Sequence, residues 1–241
     1  MGSVVREAAK WALRKGRIDI ELPEQALGFE IRRADLVPMV DNTVRRLLYF
    51  RRMLDKVKDV PGDVVECGVL YGESLLLLSF LVAEEGRLRK IWGFDSFEPL
   101  SSGTEVDQTA TPRKLRRLKG TVVSIDSVEK LLKDARLGDE FVSSQVTLVQ
   151  GYFEQSLEKF AGKSIALLHI DVDLYDSYVT VLKTLTPKMA SGGVILFDEY
   201  LGTREHAYFP GARKAIDEFF ADRKHEISRD AISGKYFITV P

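Results

Sequence analysis

Short apolar segments alternate with amphipathic segments along most of the chain, and turn residues stand between them. The apolar segments have the usual length of buried β-strands. The predicted strands are Val64–Cys67, Ile91–Phe94, Val146–Val149, Ile165–Ile170 and Val194–Phe197. Almost every residue of Ile165–Ile170 is apolar, as expected for a strand that is covered on both faces.

Segments with the spacing of amphipathic helices lie between these strands. Gly86 and Pro187 are stop signals that end two of them. The predicted helices are Glu73–Glu85, Ser127–Ala135, Tyr175–Leu185 and Ala212–Arg223. Strands that alternate with helices predict an α/β fold with a doubly wound, Rossmann-like and mostly parallel sheet. Around Gly234, the segments Glu226–Arg229 and Tyr236–Val240 predict a C-terminal hairpin with one antiparallel strand in the sheet.

The segment before the first strand is predicted to be helical and outside the sheet. Apolar residues recur there at helical spacing, at Val40, Val44, Leu47, Leu48, Leu54 and Val57, while charged residues fall largely on other faces. We therefore expect residues 1–60 to form a helical cap or an oligomer interface, and residues 61–241 to form the main domain. Inside that domain we expect a polar loop or lid at Pro99–Lys119 and a turn at Ser191–Gly193.

Composition places the chain among ordinary globular proteins. Of its 241 residues, 45% are hydrophobic and 29% are charged, and the formal net charge is −1. This balance gives no reason to expect nucleic acid as a partner, and the basic run Arg113–Lys119 is better explained as a solvated surface. The longest apolar run, Leu75–Ala83, is too short to span a bilayer. The single cysteine, Cys67, excludes an internal disulfide, so we expect a cytoplasmic protein.

Four predicted strands end on or beside an acidic residue, namely Glu66, Asp95, Asp171 and Asp198. In a doubly wound sheet the carboxyl ends of parallel strands share one edge, and ligands bind beyond that edge. We therefore expect these carboxylates to converge on one cleft. A solvated strand end is the alternative for each acid taken alone.

The first strand runs into the segment Glu66–Ser74, which has the form E-x-G-x-x-x-G-x-S. Gly68 permits a tight turn off the strand, and Gly72 permits a ligand to approach the start of the next helix. A dinucleotide fingerprint needs glycine where Glu66 stands, and a carboxylate there repels a pyrophosphate. Glu66 can instead accept hydrogen bonds from an ammonium group, directly or through water. The segment therefore favours a zwitterionic cofactor with a cationic sulfonium, namely S-adenosylmethionine.

Further cofactor contacts are expected at other strand ends. Asp95 is positioned to accept hydrogen bonds from both ribose hydroxyls, although such an acid is common to nicotinamide and adenosylmethionine sites. Ser96 follows it directly. We expect Tyr71 to pack on the methionine part of the cofactor, and Tyr152 and Phe153 to pack on its adenine, with a place in the core as the alternative.

A second group of acids predicts a metal site. Asp171 follows one apolar strand, and Asp198 and Glu199 follow the next. Neighbouring strands lie roughly 5 Å apart, so three carboxylates can share one cation. Oxygen donors suit Mg²⁺, with Mn²⁺ or Ca²⁺ as alternatives. Such an ion lowers the pKa of a bound hydroxyl and orients it, which favours methyl transfer to oxygen. A solvated acidic rim is the competing interpretation.

The general base is the least determined role. Asp171 and His206 are the candidate catalytic residues, because Asp171 is shared by both acid groups and His206 follows the metal motif near the expected mouth of the cleft. A plain loop histidine is the simpler interpretation of His206. Asp173 is another candidate base, whereas His169 lies inside a strand and is expected to be a core residue.

In order along the chain, several segments resemble the macrocin O-methyltransferase family, which methylates deoxysugars of macrolide and aminocoumarin antibiotics. The matching segments are Pro61–Val69, Phe94–Glu98, Gly151–Leu157, Ile170–Ser177, Ser191–Tyr200 and Pro210–Phe219. The resemblance implies a class I methyltransferase sheet, S-adenosylmethionine and a sugar hydroxyl as acceptor. It also implies Mg²⁺ at Asp171, Asp198 and Glu199. Family members form oligomers through N-terminal helices, so it implies a homodimer or a larger homo-oligomer.

The chain departs from the family pattern at two places. Glu199 stands where the antibiotic enzymes typically have aspartate, and the stretch Leu100–Thr121 lacks the lid histidine of those enzymes. The favoured function is a metal-assisted O-methyltransferase that acts on a small hydroxylated molecule, a sugar or a glycosylated natural product. A NAD-dependent oxidoreductase and a non-catalytic relative that binds the cofactor or a partner are the alternatives, and Glu66 argues against the first.

Overall fold

The computed structural model describes residues 41–101, 103–108, 123–201 and 209–241, without the side chains of residues 41, 42 and 225. All of them belong to one compact unit, Arg33–Pro241. His206 and the basic run Arg113–Lys119 lie outside the described residues. Among the described helices, none is long and apolar enough to cross a membrane.

The described part of the chain builds a seven-stranded sheet. Its strands are β1 (Asp63–Cys67), β2 (Ile91–Asp95), β3 (Val146–Gln150), β4 (Ile165–Ile170), β5 (Met189–Phe197), β6 (Ser228–Arg229) and β7 (Tyr236–Thr239). They lie in the order β3-β2-β1-β4-β5-β7-β6. Strands β1 to β5 pair in parallel, whereas β7 is antiparallel to β5 and β6 is antiparallel to β7. This arrangement confirms the predicted doubly wound sheet with its C-terminal hairpin.

Helices cover both faces of the sheet. They are α1 (Asp41–Lys56), α2 (Glu73–Glu85), α3 (Glu105–Gln108), α4 (Ile125–Asp134), α5 (Asp139–Gln145), α6 (Phe153–Ser156), α7 (Tyr175–Leu185) and α8 (Pro210–Phe219). Short 3₁₀ segments at Leu157–Lys159, Thr186–Lys188 and Ala221–Glu226 complete the helical turns. The predicted α2 and α7 have the observed bounds, because Gly86 takes a left-handed conformation at the end of α2 and a 3₁₀ turn containing Pro187 follows α7.

Several predicted boundaries differ from those in the structure. The segment Ser191–Gly193 is part of β5 and not a turn, because Gly192 N and Gly193 O form hydrogen bonds of 2.9 and 2.8 Å with Val240 at the far end of the chain. The helix predicted at Ala212–Arg223 ends at Phe219. Glu226 belongs to a 3₁₀ turn, so the first hairpin strand is only Ser228–Arg229.

Helix α1 packs on the sheet through a stripe that only partly matches the predicted one, because Leu47, Leu54 and Val57 lie in it as predicted and Leu48 does not. Leu48 is 47% exposed, whereas the residues that share a core with β1 and α2 are Tyr49, Phe50, Met53, Leu54 and Val57. These side chains recur at i, i+3/i+4 and i+7, the spacing of one helix face. The packing attaches α1 to the sheet next to the ends of β1 and β4.

Candidate active site

A cavity of about 380 Å³ opens beyond the carboxyl ends of β1, β2 and β4. This is the edge at which ligands bind in doubly wound sheets. The predicted site residues that line it are Gly68, Tyr71, Ser74, Asp95, Ser96, Tyr152, Phe153 and Asp171. Glu66, Gly72, Asp198 and Glu199 are not among the lining residues. The cavity therefore brings together most of the expected cofactor contacts. Three of the predicted acidic site residues, Glu66, Asp198 and Glu199, lie outside its lining.

The turn after β1 is shaped by close packing. Gly68 has a φ of 91°, and a Cβ atom there would lie 1.8 Å from the carbonyl oxygen of Asp171, so only glycine fits. Gly72 has a φ of 80°, and its Cβ position faces Val128 of α4 at 2.8 Å. Close packing of α4 therefore requires Gly72, a reason that differs from the ligand approach expected from the sequence.

Asp95 shapes the loop around the cavity. Its two carboxylate oxygens each accept a backbone hydrogen bond of 2.8 Å, one from Leu70 N and one from Phe97 N. Both donor residues have positive φ angles, 46° and 55°, which are uncommon outside glycine. A carboxylate has further lone pairs, so Asp95 can hold these turns and still accept from a ligand.

The aromatic residues at the cavity divide into two kinds. Tyr71 is 39% exposed and Tyr152 is 57% exposed, so neither is a core residue. Phe153 is partly buried and packs against the core beneath the sheet. Both tyrosine side chains therefore expose part of their surface beside the cavity.

Next to the cavity, the polar side chains of Glu66, His169 and Asp198 contact one another in a row. Nδ1 of His169 lies 2.9 Å from Oε1 of Glu66, and its Nε2 lies 3.8 Å from Oδ1 of Asp198. Burial lowers the pKa of His169, but the interactions with Asp198 and Glu66 outweigh it and raise that pKa to about 9. The expectation that His169 is a core residue is confirmed, since only 1% of it is exposed. Oε2 of Glu66 has no hydrogen-bond partner among the described residues.

Asp198 is surrounded by positive charge. Its Oδ1 lies 3.0 Å from Nη2 of Arg46 and 3.1 Å from Nζ of Lys235, in addition to the contact with His169. Burial alone would raise the pKa of Asp198, but Arg46, Lys235 and His169 hold it well below its usual range. The side chain is therefore an ionised acid whose charge the protein already balances.

Glu199 has the opposite environment. It is 2% exposed, and its Oε2 accepts a hydrogen bond of 2.8 Å from Tyr178 Oη. Burial and the neighbouring charge of Asp171 raise the pKa of Glu199 well above its usual range. One ligand oxygen each of Asp171, Asp173 and Glu199 lie within 4.8 Å of one another, and so do ligand atoms of His169, Asp171 and Asp198. Asp171 belongs to both groups.

Arg46 of α1 lines the cavity and was missed in the sequence. Its guanidinium donates to Ser74 Oγ at 2.5 Å and to Asp198 Oδ1 at 3.0 Å, and it lies 3.6 Å from Asp171 Oδ2. The sequence does carry a signal for it, because Arg46 stands at i−3, i−4, i−7 and i−11 relative to Tyr49, Phe50, Met53 and Val57. A lone cation on the buried stripe of a helix indicates a fixed acidic partner.

Comparison with known proteins gives consistent results. The family model described as macrocin-O-methyltransferase (TylF) matches residues 33–234. A demethyldecarbamoylnovobiocin O-methyltransferase from Streptomyces niveus is 32% identical over 200 residues, which are 78% of this chain and 72% of the relative. An 8-demethyl-8-(2,3-dimethoxy-alpha-L-rhamnosyl)-tetracenomycin-C 4'-O-methyltransferase from Streptomyces olivaceus is 31% identical over 143 residues, 58% of this chain and 54% of the relative.

A solved structure supports the fold. The O-methyltransferase NovP superposes with a TM-score of 0.67 at 29% sequence identity, and the match covers 82% of this chain and 80% of NovP.

Proposed function

The chain belongs to the macrocin O-methyltransferase family, and we propose that it transfers a methyl group from S-adenosylmethionine to a sugar hydroxyl with the help of a divalent metal ion. The single observation that carries this proposal is the cavity at the carboxyl ends of β1, β2 and β4. It combines the Gly68 turn, Asp95 and two partly exposed tyrosines with a cluster of acidic residues around Asp171. A nicotinamide cofactor has little support, because Glu66 stands where a pyrophosphate site needs glycine.

The cofactor is assigned to the part of the cavity nearest β1 and β2. Asp95 accepts from the ribose hydroxyls, Ser96 lies beside it, and the exposed faces of Tyr71 and Tyr152 pack on the cofactor. The cationic sulfonium is favoured here because acids outnumber bases among the described lining residues. Glu66 does not line the cavity, and we propose that it acts on the cofactor through a water molecule, since its buried Oε2 has no hydrogen-bond partner among the described residues.

We assign the molecule that accepts the methyl group to the chemical class that appears in the names of the relatives. The tetracenomycin enzyme of Streptomyces olivaceus is named for methylation of a rhamnosyl group. We propose that this chain likewise methylates a sugar hydroxyl, on a glycosylated natural product or a related small molecule. The cavity offers carboxylates, which accept hydrogen bonds from the neighbouring hydroxyls of a sugar ring.

The acid group fits a divalent ion in its donor chemistry. Asp171, Asp198 and Glu199 offer only carboxylate oxygens, the ligands that Mg²⁺ prefers, and Asp173 adds a fourth carboxylate close to Asp171 and Glu199. A cation shared by Asp171, Asp173 and Glu199 would offset the repulsion among these neighbouring carboxylates. When bound, the ion would lower the pKa of the acceptor hydroxyl and orient its oxygen. Mn²⁺ and Ca²⁺ suit the same donors.

Asp173 is the best candidate among the described residues to receive the hydroxyl proton. It lines the cavity beside Asp171 and has a φ of 62°, which is uncommon for a residue other than glycine. Unusual backbone conformations of this kind concentrate at functional sites. His206 keeps its predicted role as an alternative base or substrate contact, and it lies outside the described residues.

Membership of the family also leads us to propose that the protein forms a homo-oligomer. The stripe of α1 from Tyr49 to Val57 is buried within the chain itself, while Leu48 remains 47% exposed. We propose that residues 1–60 contribute to contacts between copies and that residues 61–241 form the methyltransferase domain. Light scattering should give a mass that is a multiple of 27.2 kDa. A mass of one chain at micromolar concentration would contradict this part of the proposal.

Calorimetry tests the proposed function. We expect S-adenosylhomocysteine to bind the wild type with micromolar affinity, and Asp95→Asn to bind it roughly tenfold more weakly, because a hydrogen bond to a charged acceptor is lost. Asp139→Asn is a matched control, since Asp139 is exposed on α5. Absence of binding to the wild type at millimolar ligand would overturn the proposal.

A further inference from the structure

The cavity has an uneven distribution of charge. Arg46 is the only Lys or Arg among its described lining residues, whereas several of those residues are acidic. Its guanidinium is only about a quarter exposed and is held by Ser74 and Asp198. Asp198 and Asp171 offset the cost of burying this cation, and its partial exposure leaves it accessible to a ligand in the cavity.

Arg46 and Asp171 form a pair of opposite charges on the cavity wall. Nη1 of Arg46 lies 3.6 Å from Oδ2 of Asp171, and both side chains remain partly exposed. The α-ammonium and the α-carboxylate of an amino acid sit on one carbon atom, so their charges are also a few ångströms apart. A wall with adjacent positive and negative groups is therefore complementary to an amino acid zwitterion.

We propose that Arg46 binds the α-carboxylate at the methionine end of S-adenosylmethionine, while Asp171 accepts from its α-ammonium. This inference rests on the proposed function, because it requires the cofactor to occupy the cavity. It assigns to α1 a direct part in cofactor binding. The methyltransferase sheet alone, residues 61–241, would then lack one side of its cofactor site.

The surroundings of Arg46 support this role. A guanidinium has five N–H donors in a rigid fork, so the hydrogen bonds to Ser74 and Asp198 leave donors for a carboxylate. Ser74 lies in the first turn of α2, where backbone N–H groups add positive potential. The hydrogen bond from Arg46 to Ser74 links the guanidinium to that turn, and both residues line the cavity.

The inference is tested with two ligands that differ in one group. S-adenosylhomocysteine carries the α-carboxylate, and S-adenosyl-3-thiopropylamine lacks it but keeps the amine. Calorimetry measures the affinity of both for the wild type and for Arg46→Met. We expect the wild type to bind S-adenosylhomocysteine roughly 10- to 100-fold more tightly than the other ligand, as a charge-assisted hydrogen bond implies. Arg46→Met should bind both ligands with similar affinity.

Two further variants make the result specific. Arg51→Met removes a cation from the exposed face of the same helix, where Arg51 pairs with Asp55 and Glu84, and should keep the wild-type preference. Arg46→Lys keeps the charge and should retain part of the preference even if Arg46→Met does not fold, which circular dichroism would reveal.

The outcomes separate this inference from the proposed function. If the wild type binds neither ligand, the proposed function fails. If the wild type binds both ligands equally well, or if Arg46→Met keeps the wild-type preference, the cofactor assignment stands and the role of Arg46 is overturned.

Discussion

At the scale of single residues, Asp171 links the two halves of the site. It lines the cofactor cavity, lies 3.6 Å from Arg46 and belongs to both acid groups. Asp198 and Glu199 follow the neighbouring strand, but their surroundings shift the pKa values of the two carboxyl groups in opposite directions. Three basic groups surround Asp198, whereas Glu199 is buried among acids and Tyr178. Neighbouring carboxylates in the sequence therefore lie in different electrostatic surroundings.

Asp173 gives the first residue-scale prediction. Asp173→Asn removes the proposed proton acceptor, and turnover should fall by roughly 100-fold or more. Affinity for S-adenosylhomocysteine should change little, because the cofactor contacts are assigned to other residues. A radiolabelled methyl-transfer assay with a glycosylated acceptor, together with calorimetry, would measure both quantities. Unchanged turnover in Asp173→Asn would exclude Asp173 as the base.

Gly211 gives a prediction about packing. A Cβ atom at Gly211 would lie 1.8 Å from Oδ1 of Asp107, a buried side chain that accepts from Tyr175 N and Thr104 N. Gly211→Ala should therefore lower the free energy of unfolding by about 1–3 kcal/mol. Urea denaturation would measure this loss. In an Asp107→Ala background the same substitution should cost much less, and an equal cost in both backgrounds would contradict the proposed clash.

Some site residues were readable in the sequence and others were not. Glu66, Asp95, Asp171 and Asp198 could be placed at one edge because each lies at or directly after the end of a predicted strand, and parallel strands share that edge. Arg46 could not be placed in this way. Its position depends on the angle at which α1 packs on the sheet, and that angle is set by tertiary contacts.

At the scale of elements, α1 and the C-terminal hairpin are joined by a fixed ion pair. Arg52 of α1 donates two hydrogen bonds to Asp230, of 2.9 and 2.7 Å. Asp230 also accepts from the backbone and the hydroxyl of Ser233, so it organises the turn between β6 and β7. The first and last described elements of the chain thus stabilise each other.

This pair has a pH dependence whose sign can be worked out. Burial tends to raise the pKa of Asp230, but hydrogen bonds from Arg52 and Ser233 lower it to about 2. Because the folded pKa lies below the unfolded value of about 3.9, the contribution is complete above pH 4 and is lost as the pH falls towards 2. Asp230→Asn should be about 1 kcal/mol less stable than the wild type at pH 7.

Urea denaturation at pH 7 and at pH 2.5 would test the pair. The difference between the wild type and Asp230→Asn should shrink at the lower pH. A difference that is the same at both pH values would mean that the ionised carboxylate contributes nothing.

The elements themselves differ in how well the sequence predicts them. β4, α2 and α7 have the predicted bounds, because local patterns and stop signals determine them. The start of β5 was read as a turn, since Ser191–Gly193 gains its strand pairing from Val240, a residue distant in sequence. Contacts between residues distant in sequence cannot be predicted from local composition.

At the scale of the whole molecule, the enzyme has the fold of its family but differs from the family pattern at one of the acidic residues proposed to bind metal. Residues 33–234 match the macrocin O-methyltransferase family. Glu199 nevertheless occupies the position at which the family resemblance implies aspartate. The longer side chain is buried and held by Tyr178, so it can still bring a carboxylate towards Asp171. The metal assignment is therefore open to a direct chemical test.

Chelation provides that test. Treatment with EDTA should lower turnover at least tenfold, and added Mg²⁺ or Mn²⁺ should restore it, because in the proposed mechanism the ion activates the acceptor hydroxyl. Glu199→Gln should require more Mg²⁺ for half-maximal turnover, whereas Glu140→Gln, an exposed position on α5, should not. Full activity of the wild type after chelation would remove the metal from the proposed mechanism.

A crystal structure with S-adenosylhomocysteine and Mn²⁺ tests the central claim most directly. The ribose is expected at Asp95, the methionine end between Arg46 and Asp171, and an anomalous manganese peak among Asp171, Asp198 and Glu199. A cofactor bound away from the cavity, or manganese bound away from these carboxylates, would contradict the account.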